Sequence, residues 1–489
     1  MTNSGQRVST IAVFGESHEL WPVATLLAQN LPPQMRLILV EHSGAAAVPA
    51  ALTLACDSRF HTGAGIDVEQ LLNRSNAHFG LGTDLQGWQG DDSSLFAAPS
   101  GTLPAINGIA LHHVMLRAAM TYEEPGRLAH LLQPFRFAAR TARAGKFAFP
   151  PDDPESPLGM LGPTIHIDRV DYTAFLKERF AADAEIRQAR PVGISMDGPA
   201  IGSIRPDTGQ DIAADFFVDV SGGVADLLPD EQRPGFTSLP GLMPFDRIAS
   251  ASTDRESGEG HGQTVARAMH GGLLIKTPLG SGCISELLFA SDRFPDGTAQ
   301  QWLGSDAPSA PFAPGFAETP WTANLARLGR ASASLGPYQS ADMILLHDQA
   351  LHLIETLPAS RQMDVEAASY NAKHLTSARQ LRDFTLLPFV LNSRNDAPWA
   401  AIREAPLPET LQIRIDQFES RGRFVTFDNE LFDRQTWIDM MIGFGIVPDR
   451  YDPMTDTLDM KRVAPVLKRM VDMFTAAIES MPENQQAGI

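Results

Sequence analysis

Cysteine is nearly absent: Cys56 and Cys283 are the only two in 489 residues. Neither has the neighbouring Cys or His that a metal site or a redox pair requires, so no metal is expected and both read as small buried apolar residues. Positive charge is also scarce. With 39 Lys+Arg against 58 Asp+Glu the formal net charge is -19, which offers no electrostatic footprint for phosphate backbones or anionic lipid. Nucleic acid and membrane surfaces are therefore excluded as expected partners. No stretch approaches the roughly 18 uninterrupted apolar residues of a membrane span. The polar residues Met1–Ser9 run straight into Thr10-Ile11-Ala12-Val13-Phe14, without the basic region, apolar core and cleavage site of a signal peptide. A cytoplasmic location is expected.

What is present is an ordinary globular composition, 43% hydrophobic and 20% charged, long enough for two or three packed units. The first segment reads as a βαβ unit. An apolar run Ile11–Phe14 meets the turn Gly15-Glu16-Ser17-His18-Glu19, a helical stretch runs from Leu20 to Leu31, and a second strand Met35–Val40 ends in Glu41. A nucleotide-binding α/β fold begins in this way. There the turn needs glycines so that backbone N–H groups approach a pyrophosphate, and the acid closing the second strand accepts from a ribose hydroxyl. Glu41 is in place, but of G-x-G-x-x-G only Gly15 remains, with Ser17 and Leu20 at the second and third positions. Ala214–Gly223 reads as a buried strand closed by a glycine turn, and Pro191–Ser195 as another strand. Proline-rich loops punctuate the chain at Phe149–Pro154 and Asp306–Pro314. After about residue 342 apolar residues recur at helical spacing. The expected fold class is α/β, an FAD-binding flavoprotein-monooxygenase-like fold with a mainly helical C-terminal part. The expected division is 1–345 for the α/β part with substrate-side insertions and 346–489 for the helical part.

A series of short signatures in fixed order resembles the flavin-dependent tryptophan halogenase family. After the degenerate turn and Trp21 come Val40-Glu41, Ala77-His78-Phe79-Gly80-Leu81-Gly82-Thr83, Gly87-Trp88 and Ile106-Asn107-Gly108, then Leu111-His112-His113-Val114-Met115-Leu116-Arg117. The H-x-D…Y…F-L segment corresponds to His166-Ile167-Asp168 with Tyr172, Phe175 and Leu176, and the D-x-x-x-D-x-S-G strand to Asp215–Gly222. Gly329-Arg330-Ala331 with Pro337 stands for the second flavin-contacting element. Tyr370-Asn371, Arg382-Asp383-Phe384 and Arg394 with Asp396–Trp399 fall where the family has Y-N, R-D-F and R-x-D-x-x-[FW]. The resemblance implies an FAD-dependent fold in which a separate flavin reductase supplies reduced flavin and chloride attacks the flavin hydroperoxide. The hypohalous acid is then passed to a lysine beside the aromatic substrate, where a glutamate assists the substitution. On the resemblance, Gly15, Ser17, Glu41 and Gly329 are the cofactor-side positions, and Ser340, Ala341, Asp342 and Lys276 lie in the substrate or halide region.

The chemistry-bearing positions depart from the family. Its lysine falls on Gly80, which can donate nothing, and its E-S-T-G run on Gln339-Ser340-Ala341-Asp342. Gln339 keeps hydrogen-bonding shape without charge, and an acid at Asp342 repels a halide. The G-W-x-W-x-I-P signature reads Gly272-Leu273-Leu274-Ile275-Lys276-Thr277-Pro278, without either tryptophan. The flavin-side G-E-x-T-x-P reads Gly44–Pro49, and Arg330 replaces Asp or Asn. Lys276 is the one cation inside the altered signature, and in a strand of alternating faces it points either inward or to solvent. His112 and His113 read as structural, and the acidic pairs Asp91-Asp92, Glu123-Glu124 and Asp152-Asp153 as solvated surface. The expectation is a tryptophan-halogenase-like protein that has lost halogenase chemistry and acts as a binding or partner protein. The alternative is a flavin-dependent monooxygenase or an atypical halogenase acting on an indole-like aromatic. FAD binding is left open. The partner is a small aromatic molecule or an unidentified protein, with a flavin reductase if active and a homodimer also allowed.

Overall fold

The computed structural model describes residues 7–44, 50–98, 103–151, 153, 156–180, 185–233, 235–239, 241–243, 245–253, 262–294, 296–304, 309–428 and 430–484. Strand β1 (Thr10–Glu16) runs directly into helix α1 (Ser17–Asn30) and returns through strand β2 (Arg36–His42). The five central residues of both strands are buried, as a strand covered on both faces requires. A small antiparallel sheet follows, in which β3 (Ala51–Ala55) and β4 (His78–Gly80) flank β5 (Thr164–Asp168). Strand β6 (Phe216–Asp219) pairs with β1 on the side away from β2, and the full order is 185–188, β2, β1, β6, 325–327, 321–322. All of these pairings are parallel except the last. This is the α/β architecture expected from the sequence, and the strand ends at Glu16, His42 and Asp219 open together at one edge, where such sheets bind ligands.

A second, seven-stranded sheet contains β7 (Gly272–Pro278) paired antiparallel to β8 (Cys283–Phe289). Its inner face joins a core that also collects Trp88, Leu111, Val114 and Leu116 from the first half and Leu381, Phe384, Trp399 and Trp437 from the second. Each such large side chain contributes roughly 1.5–3 kcal/mol on burial. The last third is mainly helical, with long helices at Asp364–Val390 and Met460–Ser480. Helix α2 (Ala341–Glu355) buries Met343, Leu346, Ala350 and Leu353 in the core that holds Ile11 and Val13 of β1. The division expected at 345/346 therefore falls inside a helix that packs on the first sheet. Asp152, Pro154 and 306–308 of the expected loops lie outside the described residues. No helix among the described residues is long and apolar enough to cross a membrane.

Candidate functional site

The cleft forms where β1, β2 and β6 end. Gly15 sits in register with Glu41, and a Cβ there would stand 2.1 Å from Val220 Cγ2. The glycine thus serves close packing of β1 against the chain leaving β6. The Glu41 carboxylate is surrounded by donors. Oε1 accepts from Ser17 Oγ at 2.5 Å, Trp21 Nε1 at 3.0 Å and Lys177 Nζ at 3.1 Å, and Oε2 accepts from Lys177 Nζ at 2.8 Å and Gln188 Nε2 at 2.5 Å. Burial works to raise its pKa, but the bonds from Lys177, Ser17, Trp21 and Gln188 outweigh it and hold the carboxyl down at about 2. With about four lone-pair sites on a carboxylate, Glu41 is saturated.

At the N-terminus of α1 stand two further carboxylates, Glu16 and Glu19. Arg330 bridges them, with Nη2 2.5 Å from Glu16 and Nε 2.6 Å from Glu19. Burial lowers the Arg330 pKa, but the two acids win and raise it. Gly44 closes over this pair, since a Cβ there would lie 2.0 Å from Glu16 Cδ; Ala45–Pro49, the rest of that loop, lie outside the described residues. Gly329 has φ +54°, its N–H donates to Gln349 Oε1 at 2.8 Å, and a Cβ would meet the Val220 carbonyl oxygen at 2.9 Å. Deeper in, Arg169 is buried with no partner for its Nε. Burial lowers its pKa, against the charges of Glu19, Asp342 and Glu286. Glu286 accepts from the Ala50 N–H at 2.6 Å and is pushed up to about 7 by burial. Asp342 accepts from the N–H groups of Leu335 at 2.5 Å and Gly336 at 3.1 Å, and burial pushes it up to about 6.

The substrate side is built by the small sheet and the start of α2. A Cβ on Gly80 would lie 2.2 Å from His166 Nε2 and 2.7 Å from Thr164 Oγ1. The volume a longer side chain would need is therefore filled by the neighbouring strand. His166 is fully buried, and burial lowers its pKa to about 3, so the ring beside Gly80 is neutral. Gln339 (φ +57°) and Ser340 (φ +53°) are consecutive left-handed residues, a strained arrangement of the kind that persists where surrounding structure enforces it. Gln339 Nε2 donates to Thr83 Oγ1 at 3.3 Å, and Ser340 Oγ accepts from the Thr53 N–H at 2.7 Å. Ala341 begins α2 and is buried. Gln339, Thr164, Phe60, His347, Leu431 and Phe432 line a cavity of about 270 Å³.

Lys276 is opposite Ser285 and Ile275 is opposite Glu286 across the β7–β8 pair. Directly opposed residues share a face and successive ones alternate, so Lys276 and Glu286 lie on different faces. The structure thus brings together Gly15, Ser17, Glu41, Gly329 and Asp342 around one cleft, sets Gly80, Gln339 and Ser340 beside it, and leaves Lys276 apart. Glu16, Glu19, Lys177, Arg169 and Glu286 were missed by the sequence reading. The signal that reveals the first two is the pairing of an acid-bearing turn with Arg330 in place of Asp or Asn. His112 donates from Nε2 to the Gly422 carbonyl at 2.8 Å, and His113 Nδ1 accepts from the Asp452 N–H at 3.2 Å. Both hold the C-terminal helices in place. No group of three or more His, Cys, Asp or Glu among the described residues is placed to hold a metal.

The architecture defines the class: the fold is that of flavin-dependent halogenases. BrvH, a flavin-dependent halogenase from Brevundimonas sp. BAL3, superposes with a TM-score of 0.89 at 24% identity over 98% of this chain and 99% of that one. Xcc4156, a flavin-dependent halogenase from Xanthomonas campestris, gives 0.87 at 23%, over 98% of each chain. The chain belongs to the tryptophan halogenase family, whose model matches residues 10–460. Tryptophan 7-halogenase KtzQ of Kutzneria sp. (strain 744) is 23% identical over 283 residues, 52% of this chain and 53% of KtzQ. The chain thus spans about half the length of the curated relatives it matches.

The family implies FAD, and the cleft can be tested for it. A ribose hydroxyl needs a free oxygen on Glu41, and both oxygens are taken by four side chains. A pyrophosphate needs N–H groups and an uncharged or positive surround at the start of α1. Here it meets Glu16 and Glu19, and the arginine ion-paired with them, Arg330, is already shared between the two. The residues present do not fit the group.

Proposed function

We propose that this member of the tryptophan halogenase family has lost flavin-dependent halogenation and acts as a binding or partner protein. The observation that carries the reading is Gly80. The family's lysine position has no side chain, and the neutral His166 imidazole stands 2.2 Å from where a Cβ would be. Position 80 itself therefore supplies no cation to hold and polarise an oxidant, a role that requires a preorganised donor. The uncharged Gln339, at the family's glutamate position, cannot take up the proton released in arene substitution. The cavity of about 270 Å³ beside Gln339, with Phe60 and Phe432 in its wall, suits a small aromatic molecule as the bound partner. The test is a reductase-coupled reaction of the purified chain with FAD, chloride or bromide, and tryptophan or indole, read by mass spectrometry. The expected outcome is no halogenated product. Product that depends on both halide and this protein overturns the proposal.

A further inference from the structure

The cofactor cleft does more than lack some of its usual contacts. At three places where a fold of this type meets its cofactor, groups of the chain itself stand in the way. The acid closing β2, which accepts from ribose in nucleotide-binding folds, is bonded by Ser17, Trp21, Lys177 and Gln188. The helix N-terminus, which attracts phosphate because its first N–H groups are unpaired and its dipole is positive, carries the carboxylates of Glu16 and Glu19, clamped by Arg330. The adjacent N–H groups of Leu335 and Gly336 both donate to Asp342. The partners come from segments far apart in sequence, 311 residues for Arg330 and Glu19 and 136 for Lys177 and Glu41, so they form only when the fold is complete.

We infer that the cleft is closed by internal ligands, Arg330 on Glu16 and Glu19, four donors on Glu41, and Asp342 on two backbone N–H groups, so that the chain is a stable apoprotein that does not exchange them for FAD. The energetics favour the closed state. Opening it for a dinucleotide removes Arg330 from two carboxylates with small exposure, Glu16 at 16% and Glu19 at 5%, and then brings a pyrophosphate dianion against them. Losing the partner of a buried charge is strongly unfavourable. The inference deepens the proposed loss of halogenation but can fail independently of it, because a protein can bind FAD without halogenating.

The test is thermal unfolding of the full chain with and without millimolar oxidised or reduced FAD, beside an Arg330→Asn variant. A ligand that binds only the folded state raises the melting temperature in proportion to the logarithm of its concentration. The expected result is a cooperative transition of the cofactor-free protein that FAD does not shift, and a lower transition for Arg330→Asn. If that variant fails to fold, Arg330→Lys is expected to show a cooperative transition below that of the wild type. A concentration-dependent rise with FAD overturns the inference and leaves the proposed function standing if no halogenated product forms. An Arg330→Asn melting curve that matches the wild type also overturns it, because the arginine bridge then does not hold the cleft shut.

Discussion

The two regions of the candidate site are closed in opposite ways. Around Gly80 there is no side chain, and the neighbouring strand fills the space, with His166 and Thr164 packed where a Cβ would stand. In the cleft at the end of β1 and β2, charge does the closing: Arg330 pairs with Glu16 and Glu19, Glu286 and Asp342 accept from backbone N–H groups, and buried Arg169 feels the charges of Glu19, Asp342 and Glu286. The first closure is steric and neutral, and the second is electrostatic. The two therefore respond differently to acid, to substitution and to the return of family residues.

Acid has the largest expected effect and acts with opposite sign on the buried histidines, of which His166 stands beside Gly80, and on the buried carboxylates Glu286 and Asp342 of the cleft. Burial holds His166 and His112 at about 3 and His61, His113 and His374 at about 4, all below the ordinary 6.5. Between pH 6.5 and 4 the unfolded chain takes up protons that the folded chain refuses, so stability falls with pH by about 1.4 kcal/mol per pH unit for each such histidine. In the cleft, Glu286 at about 7 and Asp342 at about 6 lie above their unfolded values. The folded state takes up those protons first, so the cleft gains stability as pH falls from about 7 toward the ordinary carboxylate range. Five histidines outweigh two carboxylates, and scanning calorimetry is expected to show a falling transition below pH 6.5. His166→Gln flattens that fall by about one proton's slope. Glu286→Gln steepens it, and equal responses of the two variants would erase the contrast.

Next in size is Gly80→Lys, which drives a Cβ to 2.2 Å from His166 Nε2 and puts a charge against a buried neutral ring. A loss of about 3 kcal/mol or more is expected by chemical denaturation, with part of it recovered when His166→Ala is added. Arg330→Asn leaves Glu16 and Glu19 unpaired side by side. The full loss of a buried charge partner is discounted because the arginine is 24% exposed, giving about 2 kcal/mol by chemical denaturation. Lys177→Met is the mildest. Lys177 is 43% exposed, solvent screens its pair with Glu41, and about 0.5–1 kcal/mol is expected.

These differences also explain how far the sequence was readable. The βαβ start, the buried strand near residue 216 and the helical last third follow from local apolar pattern, and each is present in the fold. The residue types expected to bear on the proposed loss, Gly80 and Gln339, were visible in the sequence. That Gly80 is sealed was not, because the seal depends on β4 and β5 pairing in a register that sets Gly80 beside Thr164. Glu41 was placed by its position at the strand end, while the bond from Lys177 joins residues 136 apart. Lys276 shows the same limit: alternation predicts two faces, and only the pairing with β8 decides which one. The boundary at 345/346 followed a change of texture, whereas α2 carries its apolar face onto the first sheet from residue 343 onward.

The measurement that tests the account most directly is an anaerobic calorimetric titration of the full chain with reduced FAD. No saturable heat is expected at any accessible concentration, because Glu41 and the Leu335–Gly336 N–H pair are already bonded within the chain and the start of α1 carries two carboxylates. Saturable binding with one FAD per chain would contradict it and return the cleft to the family's cofactor.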